Sequence, residues 1–456
     1  MSRSKNFRAK ETKLNNKSKK TVIDNKSKKF TIILLLLIFV IMFQVYFKSP
    51  MVGCADTVWT VPASLSLIHE GNLNLDEYAQ YRGYYIENVN NHYLPIFPIG
   101  VPILAAPFIY ATELVFPIIG YSIDQQIGSG FPFFIERLVA SIFVALSGVF
   151  IFLITRLFVS LGWSLTSVFI YAFCTSAWSM ASRALWQHGP SMLMLSIALY
   201  LILLSKDNPK VIQYSALPLA FSYVIRPTNS ISYAILTMLV FLSFRKYFIR
   251  YLLWSAVIFV PFVLYNVNIY GALLSPYYMP ERLGYGATFL EALAGNLISP
   301  ARGLFIFSPI FLASVVGIGL RITKREMKKI DYFLILIIFF HWISISSFPH
   351  WWGGFSYGPR FFSDMIPFLI YFMLPTFESI SSLKTPPKVA LICLLAVFIS
   401  ISAMIHYQGA TDFATSDWNG NPESVDEHPE RIWNWLDPSF LRYTVDGYSQ
   451  RVINPI

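Results

Sequence analysis

Cysteine is scarce in this sequence, and so is charge. Three cysteines are present, with Cys174 and Cys393 inside apolar segments and Cys54 alone in a loop; they build no disulfide framework, and the absence of CxxC argues against redox chemistry or a structural zinc site. Charged residues are 13% of the chain against 55% hydrophobic and 17% aromatic, a balance that excludes an ordinary water-soluble domain and describes a chain solvated mostly by lipid. His69, His92, His188, His341, His350, His406 and His428 show no HExxH or comparable spacing, and GxSxG, Walker A and GxGxxG are missing. The residues therefore imply no cofactor, give a divalent metal no support, and leave nucleotide chemistry inside the cell without a motif. No internal repeat is found, and low complexity is confined to the Lys/Asn/Ser-rich beginning of the chain.

What charge there is sits unevenly. Residues 1–29 hold 11 Lys/Arg against 2 Asp/Glu, which is +9 of the net +10. The remainder, 24 Lys/Arg to 23 Asp/Glu, leaves no basic face for nucleic acid. An almost unbroken apolar run from Phe30 to Phe47 follows the tail at once. It is long enough to cross a bilayer, it lacks a small-residue cleavage site, and flanking Lys/Arg stay on the cytoplasmic side. The expectation is a retained anchor, a cytoplasmic tail over 1–29 next to anionic lipid, and a loop facing outward from Lys48.

Further apolar segments run roughly 132–155, 163–181, 188–205, 211–225, 228–244, 251–269, 303–320, 332–348, 361–380 and 389–405, which with the first predicts about eleven spans. Charge tests the count. With this arrangement thirteen Lys/Arg, from Arg156 through the Arg321 to Lys329 cluster to Lys388, fall in inner loops beside only Asp207, Glu326 and Asp331. If Phe97 to Ile118 also crossed, those clusters would move outside. Prolines 98, 102, 107 and 117 make that stretch read as a broken, interfacial or re-entrant helix at the outer surface. The first outer loop then extends over 48–131, far beyond the usual ~4–6 residues, and loops of that length tend to be functional. The transmembrane domain covers 30–406, and 407–456 forms a small extracytoplasmic tail.

With that sidedness the unusual polar residues gather on one side: Asp56 in GCADTVW, Asp76 and Glu77 in NLNLDEY, His92, Arg183 and His188 in SRALWQHGP, Arg226 in YVIRPTN, Arg302 in ISPARG and Arg360 in YGPRFFSD. Ionisable groups at membrane depth are expensive and mark functional cavities. Arginines and a histidine facing a carboxylate-bearing loop would bind an anion and leave an acid for proton transfer. Each residue also has a plainer reading. Asp56 is alternatively a solvated acid or helix cap, Asp76 and Glu77 read better as a turn and helix start, and His188 as an interfacial hydrogen-bonding residue. Arg226, Arg302 and Arg360 share a rigid turn beside a guanidinium, with pairing to an outer carboxylate as the rival, Asp364 for Arg360. Trp351, Trp352 and Tyr357 offer aromatic faces to a sugar or anchor the interface. Arg137 after Glu136 reads as a structural pair.

At these residues the chain resembles the GT-C class of membrane glycosyltransferases, in particular a bacterial set related to protein O-mannosyltransferases and lipid A aminoarabinose transferases (glycosyltransferase family 39-like). The likeness covers most of 30–380. It rests on one transmembrane helix, a long outer loop with an early acid (Asp56), a proline-rich stretch YLPIFPIGVPILAAP, an arginine opening the next span (Arg137), and the later WQHGP, RPTN, SPARGLFIFSP and WWGGFSYGPRF sequences. The resemblance implies a GT-C-like helical bundle, a polyprenyl-phosphate-linked sugar donor bound from the membrane, and a lipid, glycan or protein acceptor on the outer face. It makes Asp56 the general base, and makes Arg226, Arg302 and Arg360, with His188, Trp352 and Tyr357, the substrate-binding residues. Asp56 is followed by Thr57 rather than a second acid, which departs from the commonest pattern and weakens an acid-pair or metal-bridged mechanism. The large soluble outer domain of some relatives is also missing.

The leading expectation is thus an inverting glycosyltransferase in the cell membrane, N-terminus cytoplasmic and C-terminus outside. The alternatives are a flippase or transporter of a lipid-linked anion and an outer-face scaffold without a ligand. A transporter should carry broken helices near the midplane in matched halves; here the ionisable residues gather near outer span ends, which favours the enzyme.

Overall fold

Long runs of leucine, isoleucine, valine and phenylalanine, removed from water, leave the backbone to satisfy its N–H and C=O groups within helices, and the chain is almost all helix. The computed structural model describes residues 29–51, 53, 55–81, 85–120, 123, 127, 132–279, 288–445 and 448–451. The expected basic tail, except Lys29, and Cys54 lie outside the described residues. Helix α1 is Lys29–Lys48, α2 Thr60–His69 and α3 Gly100–Val115. The bundle continues as α4 (Phe133–Arg156), α5 (Leu161–Phe173), α6 (His188–Leu204), α7 (Ala216–Ile225), α8 (Ser230–Ser243), α9 (Arg245–Tyr270), α10 (Phe289–Ile298), α11 (Leu312–Thr323), α12 (Lys329–Ser346), α13 (Ile366–Ser382) and α14 (Thr385–Thr411). Among the described residues, seven helices are long and apolar enough to cross a membrane: α1, α3 with its continuation to Ile118, α4, α9, α12, α13 counted from Arg360, and α14. Five shorter apolar helices of 10–17 residues accompany them. The coarse expectation of an all-α polytopic membrane protein is met.

Side-chain pattern sorts the helices into a core and a lipid-facing shell. Along α1 the buried residues are Ile38, Met42 and Tyr46, four apart on one stripe, while Ile33, Leu37 and Ile41 are exposed. Tyr46 ends that stripe by donating its hydroxyl to the Ala172 carbonyl at 3.0 Å. Helix α13 is apolar all round and buried almost throughout, as a central helix must be. It packs closely against α11, where Ser314 donates to the Leu369 carbonyl and Thr376 to the Ala313 carbonyl at 2.8 and 2.7 Å.

Contacts define two ends of the bundle. At one, Trp163 donates to Ser381, Lys329 reaches the Leu242 carbonyl, Lys328 lies over Phe158, and Arg321 pairs with Asp331. The basic loops around Arg156, Arg245, Lys324 and Lys384 thus converge. At the opposite end Asp56 meets Arg360, and Met51 binds the Ala410 carbonyl at the end of α14.

The proline-rich stretch is a correction in form. It is not broken: α3 runs through Pro107. Pro102 falls in the first turn, where a missing N–H costs nothing, and Pro117 lies in the 3-10 turn after the helix, so only Pro107 removes an interior bond. Gly100, at its start, lies against the backbone of Val224 and Ile225 at the end of α7, and Phe116, just past its end, packs on Phe134 at the start of α4, with centroids 5.7 Å apart. Between α2 and α3 a hairpin pairs β1 (Ile86–Val89) with β2 (His92–Pro95). Its two turn residues, Asn90 and Asn91, both take positive φ, the conformation asparagine tolerates. Helix α14 runs to Thr411, and a short helical turn, Ala414–Asp417, follows it. The segment after it folds into a cap in which Arg431 holds the carbonyls of Trp418 and Asn421, and Arg442 pairs with Asp437.

The α11–α13 contact yields a test. A Cβ added at Gly317 would lie 1.9 Å from the Phe372 carbonyl, whereas one at Gly319 meets nothing. Gly317→Ala should cost ~1–3 kcal/mol by overpacking and lower the thermal midpoint in detergent, while Gly319→Ala leaves it in place; equal midpoints would contradict the packing.

Candidate functional site

Away from the basic loops, the bundle encloses a cavity of about 90 Å³. Asp56 and Thr57 line it from the turn after α1, Trp186 and His188 from the start of α6, Arg226 from the end of α7, and Arg360 from the turn before α13. Local chemistry puts each there. Pro227 cannot continue α7, so Arg226 adopts an extended backbone (φ −150°, ψ 120°) where the helix stops. Gly358, at φ 61°, and Pro359 turn the chain so that Arg360 opens the 3-10 turn leading into α13.

Two ion pairs of different character occupy the site. Arg226 Nη1 donates to Asp364, whose side chain is 0% exposed, and also to His188 Nδ1 at 2.8 Å. A guanidinium only donates, so Nδ1 is the acceptor and a neutral His188 carries its proton on Nε2. The second pair is looser. Arg360 Nη1 reaches Asp56 Oδ2 at 3.4 Å, with side chains 15% and 32% exposed, well beyond the ~2.7–2.9 Å of a strong charge-assisted bond. Arg360 Nε is buried with no hydrogen-bond partner among the described residues. Its guanidinium lies 4.8 Å from the Trp186 ring centroid and 5.3 Å from that of Phe361, and Arg226 flanks the same Phe361 at 5.6 Å. Aromatic faces thus space the two cations.

Asp56, His188, Arg226 and Arg360 are therefore brought together around one cavity. The partner assignments change. Asp364 belongs to Arg226, not Arg360, and Arg360 takes Asp56. Arg302, Trp352 and Tyr357 do not line the cavity. Arg302 is 1% exposed and donates to the carbonyls of Ala301, Trp352 and Gly354 and to Asn419. Burial pushes its guanidinium down to about 9, with the charge of Arg360 acting in the same sense. Trp352 donates its indole N–H to Asp426 at 2.8 Å, and Tyr357 its hydroxyl to the Ile405 carbonyl at 2.7 Å, packed against Phe307. Their aromatic faces are turned to the cap and the core rather than to a sugar.

The remaining candidates fall into structural positions. Glu136 and Arg137 do not pair: consecutive helix residues point about 100° apart, and Arg137 donates to the Ser49 carbonyl while Glu136 accepts from Thr57. Arg183 lies 5.6 Å from the Trp186 ring. Glu77 accepts from Ser66, and Asp76 from His92 and the Tyr93 amide, which anchors the hairpin.

Sequence reasoning left three buried groups around the cavity out of the candidate site. Glu136, fully buried, sits behind the wall that Thr57 forms. Asp364 is the partner of Arg226, and His341, fully buried in α12, donates from Nε2 to the Phe361 carbonyl at 2.8 Å. Their signal was available, since each is an ionisable residue in or beside an apolar helix. Among the described residues no three His, Cys, Asp or Glu side chains are grouped to hold a metal ion.

Fold and site together define a class: a helical multi-pass membrane protein with a cavity of paired arginines and aspartates at one end of its bundle. Compared with known proteins, the chain matches no family model and no curated protein.

Two outcomes follow from the geometry. Asp364→Ala leaves Arg226 buried without its counter-charge and should cost ~3–5 kcal/mol, whereas Asp56→Ala should cost less than ~1 kcal/mol, as loose, partly exposed pairs do. Thermal unfolding in detergent measures both, and similar losses would mean the pairs are not different in kind. At Asp76, partial burial works to raise the carboxyl, but the bonds from His92 and the Tyr93 amide prevail and hold it below 3.8. Its stabilisation of the hairpin is complete above that value and is lost as pH falls through the lower folded-state one. The Tyr93 amide signal should follow this acid titration in the wild type and be insensitive in Asp76→Asn.

Proposed function

We propose that this protein is a membrane glycosyltransferase that moves a sugar from a polyprenyl-phosphate carrier to a lipid, glycan or protein acceptor at the outer face of the cell membrane. In this reading α1, α4 to α9 and α11 to α14 make eleven spans, and α2, α3 and α10 lie at the outer surface with the cap. The cytoplasmic end is the one where the basic loops meet.

The observation that carries the reading is Arg360. Its guanidinium lines the cavity and makes a long contact from Nη1 to Asp56, an end of the fork suited to receive an anionic oxygen. The adjacent carboxylate is suited to receive a proton. In the transfer, the acceptor hydroxyl oxygen forms a bond to the anomeric carbon while the bond from that carbon to the phosphate oxygen breaks. The bonding pair leaves with the polyprenyl phosphate, whose developing charge Arg360 stabilises with Arg226 behind it, and the hydroxyl proton passes to Asp56. Arg226, already paired with Asp364, orients His188 and supplies fixed positive potential rather than a free fork. Supporting this division, both ends of α3 touch residues of the cavity end, which accords with an element lying across the outer face rather than through the membrane.

The test uses the full-length protein in nanodiscs with radiolabelled polyprenyl-phosphate sugars. Asp56→Asn should keep donor binding and lose turnover by about 10²–10⁴-fold, the usual worth of a general base. Arg360→Gln should lose donor binding itself. Turnover unchanged in Asp56→Asn, or equal binding in wild type and Arg360→Gln, would remove the assignment.

A further inference from the structure

Arg302 is buried outside the cavity, yet its contacts lead back to it. Its Nε donates to the Trp352 carbonyl at 2.7 Å and its Nη2 to the Gly354 carbonyl at 3.0 Å. The two carbonyls belong to the residues on either side of Gly353. That glycine has φ 76°, and a Cβ built on it would lie 2.8 Å from Arg360 Nε. The peptide held by Arg302 is therefore the wall against which the Arg360 guanidinium rests. Arg302 is bound from its other side by the cap, through Asn419 Oδ1 at 2.8 Å, and Trp352 by Asp426 at 2.8 Å.

We infer that Arg302 is a positioning residue: its planar fork fixes the 352–354 turn, that turn sets the place of Arg360 in the cavity, and Asn419 makes the C-terminal cap part of this support. The inference deepens the proposed function, and its consequence for phosphate binding rests on that reading. Geometry explains why arginine is needed. Carbonyls at 352 and 354 and the Asn419 amide oxygen are met by one rigid fork, while a lysine ammonium is a compact point charge on a flexible stem that keeps the charge but not the three directions. Gly353 is required twice, for its left-handed backbone and for the absence of a Cβ beside Arg360.

The experiment reads the position of the Arg360 charge without any sugar donor, so it succeeds or fails independently of glycosyl transfer. In the full chain carrying Cys54→Ser and Cys393→Ser, with Cys174 buried, Asp56→Cys is labelled with an anionic and a cationic methanethiosulfonate reagent, and the ratio of the two rates is measured. Arg360→Gln should lower the anion-over-cation ratio by about tenfold, from the loss of one charge a few ångströms away. Arg302→Lys and Gly353→Ala should each lower it by about threefold, and Asn419→Ala, a milder change that keeps the fold if Arg302→Lys does not, by about twofold. Combined with Arg360→Gln, none should lower the ratio further, because each acts through that guanidinium. A ratio unchanged by Asn419→Ala and Gly353→Ala, or lowered equally with Arg360 already removed, would overturn the inference and leave Arg302 as a fold-stabilising residue only.

Discussion

The buried ion pair between Arg226 and Asp364 is the constraint on which the rest turns. Arg226 stands where α7 stops at a proline, and Asp364 stands in the turn that leads into α13, the most enclosed helix of the bundle. Neither charge can be left alone among apolar side chains, since breaking such a pair costs several kcal/mol. The pair therefore brings two chain breaks, 138 residues apart, to the same depth. Once they are there, His188 has its partner, Phe361 lies between two arginines, and Arg360 is delivered to the rim of the cavity.

This makes the contrast between the two pairs meaningful. Two arginines and two aspartates meet at the cavity. The inner pair is tight and enclosed and acts as framework. The outer pair is long, partly exposed and backed by aromatic rings.

How far this was legible in the sequence depends on the kind of signal. Arg226 in RPTN was readable because a proline beside an intramembrane charge has few innocent explanations, and the gathering of Asp56, His188, Arg226 and Arg360 followed from counting spans. Partners were not readable. Asp364 lies four residues from Arg360 and is, in sequence, the rival structural partner for it, but the 3-10 turn of 360–365 sends the two side chains to different neighbours. Arg302 shows the same limit, because a guanidinium in a rigid turn looks identical in sequence whether its donors face a cavity or backbone carbonyls. Of the readings that four prolines offer for the α3 segment, broken, interfacial or re-entrant, the first fails because only Pro107 falls in the helix interior.

The central claim is that the paired arginines and aspartates occupy the outer end of the bundle and the basic loops the inner end. The most direct measurement is accessibility labelling of single cysteines in intact cells with a membrane-impermeant thiol reagent, using Asp56→Cys at the cavity and Lys246→Cys at the exposed start of α9. The account predicts that position 56 is labelled from outside and position 246 only after permeabilisation. Labelling of both from the same side, or of position 246 alone in intact cells, would contradict it.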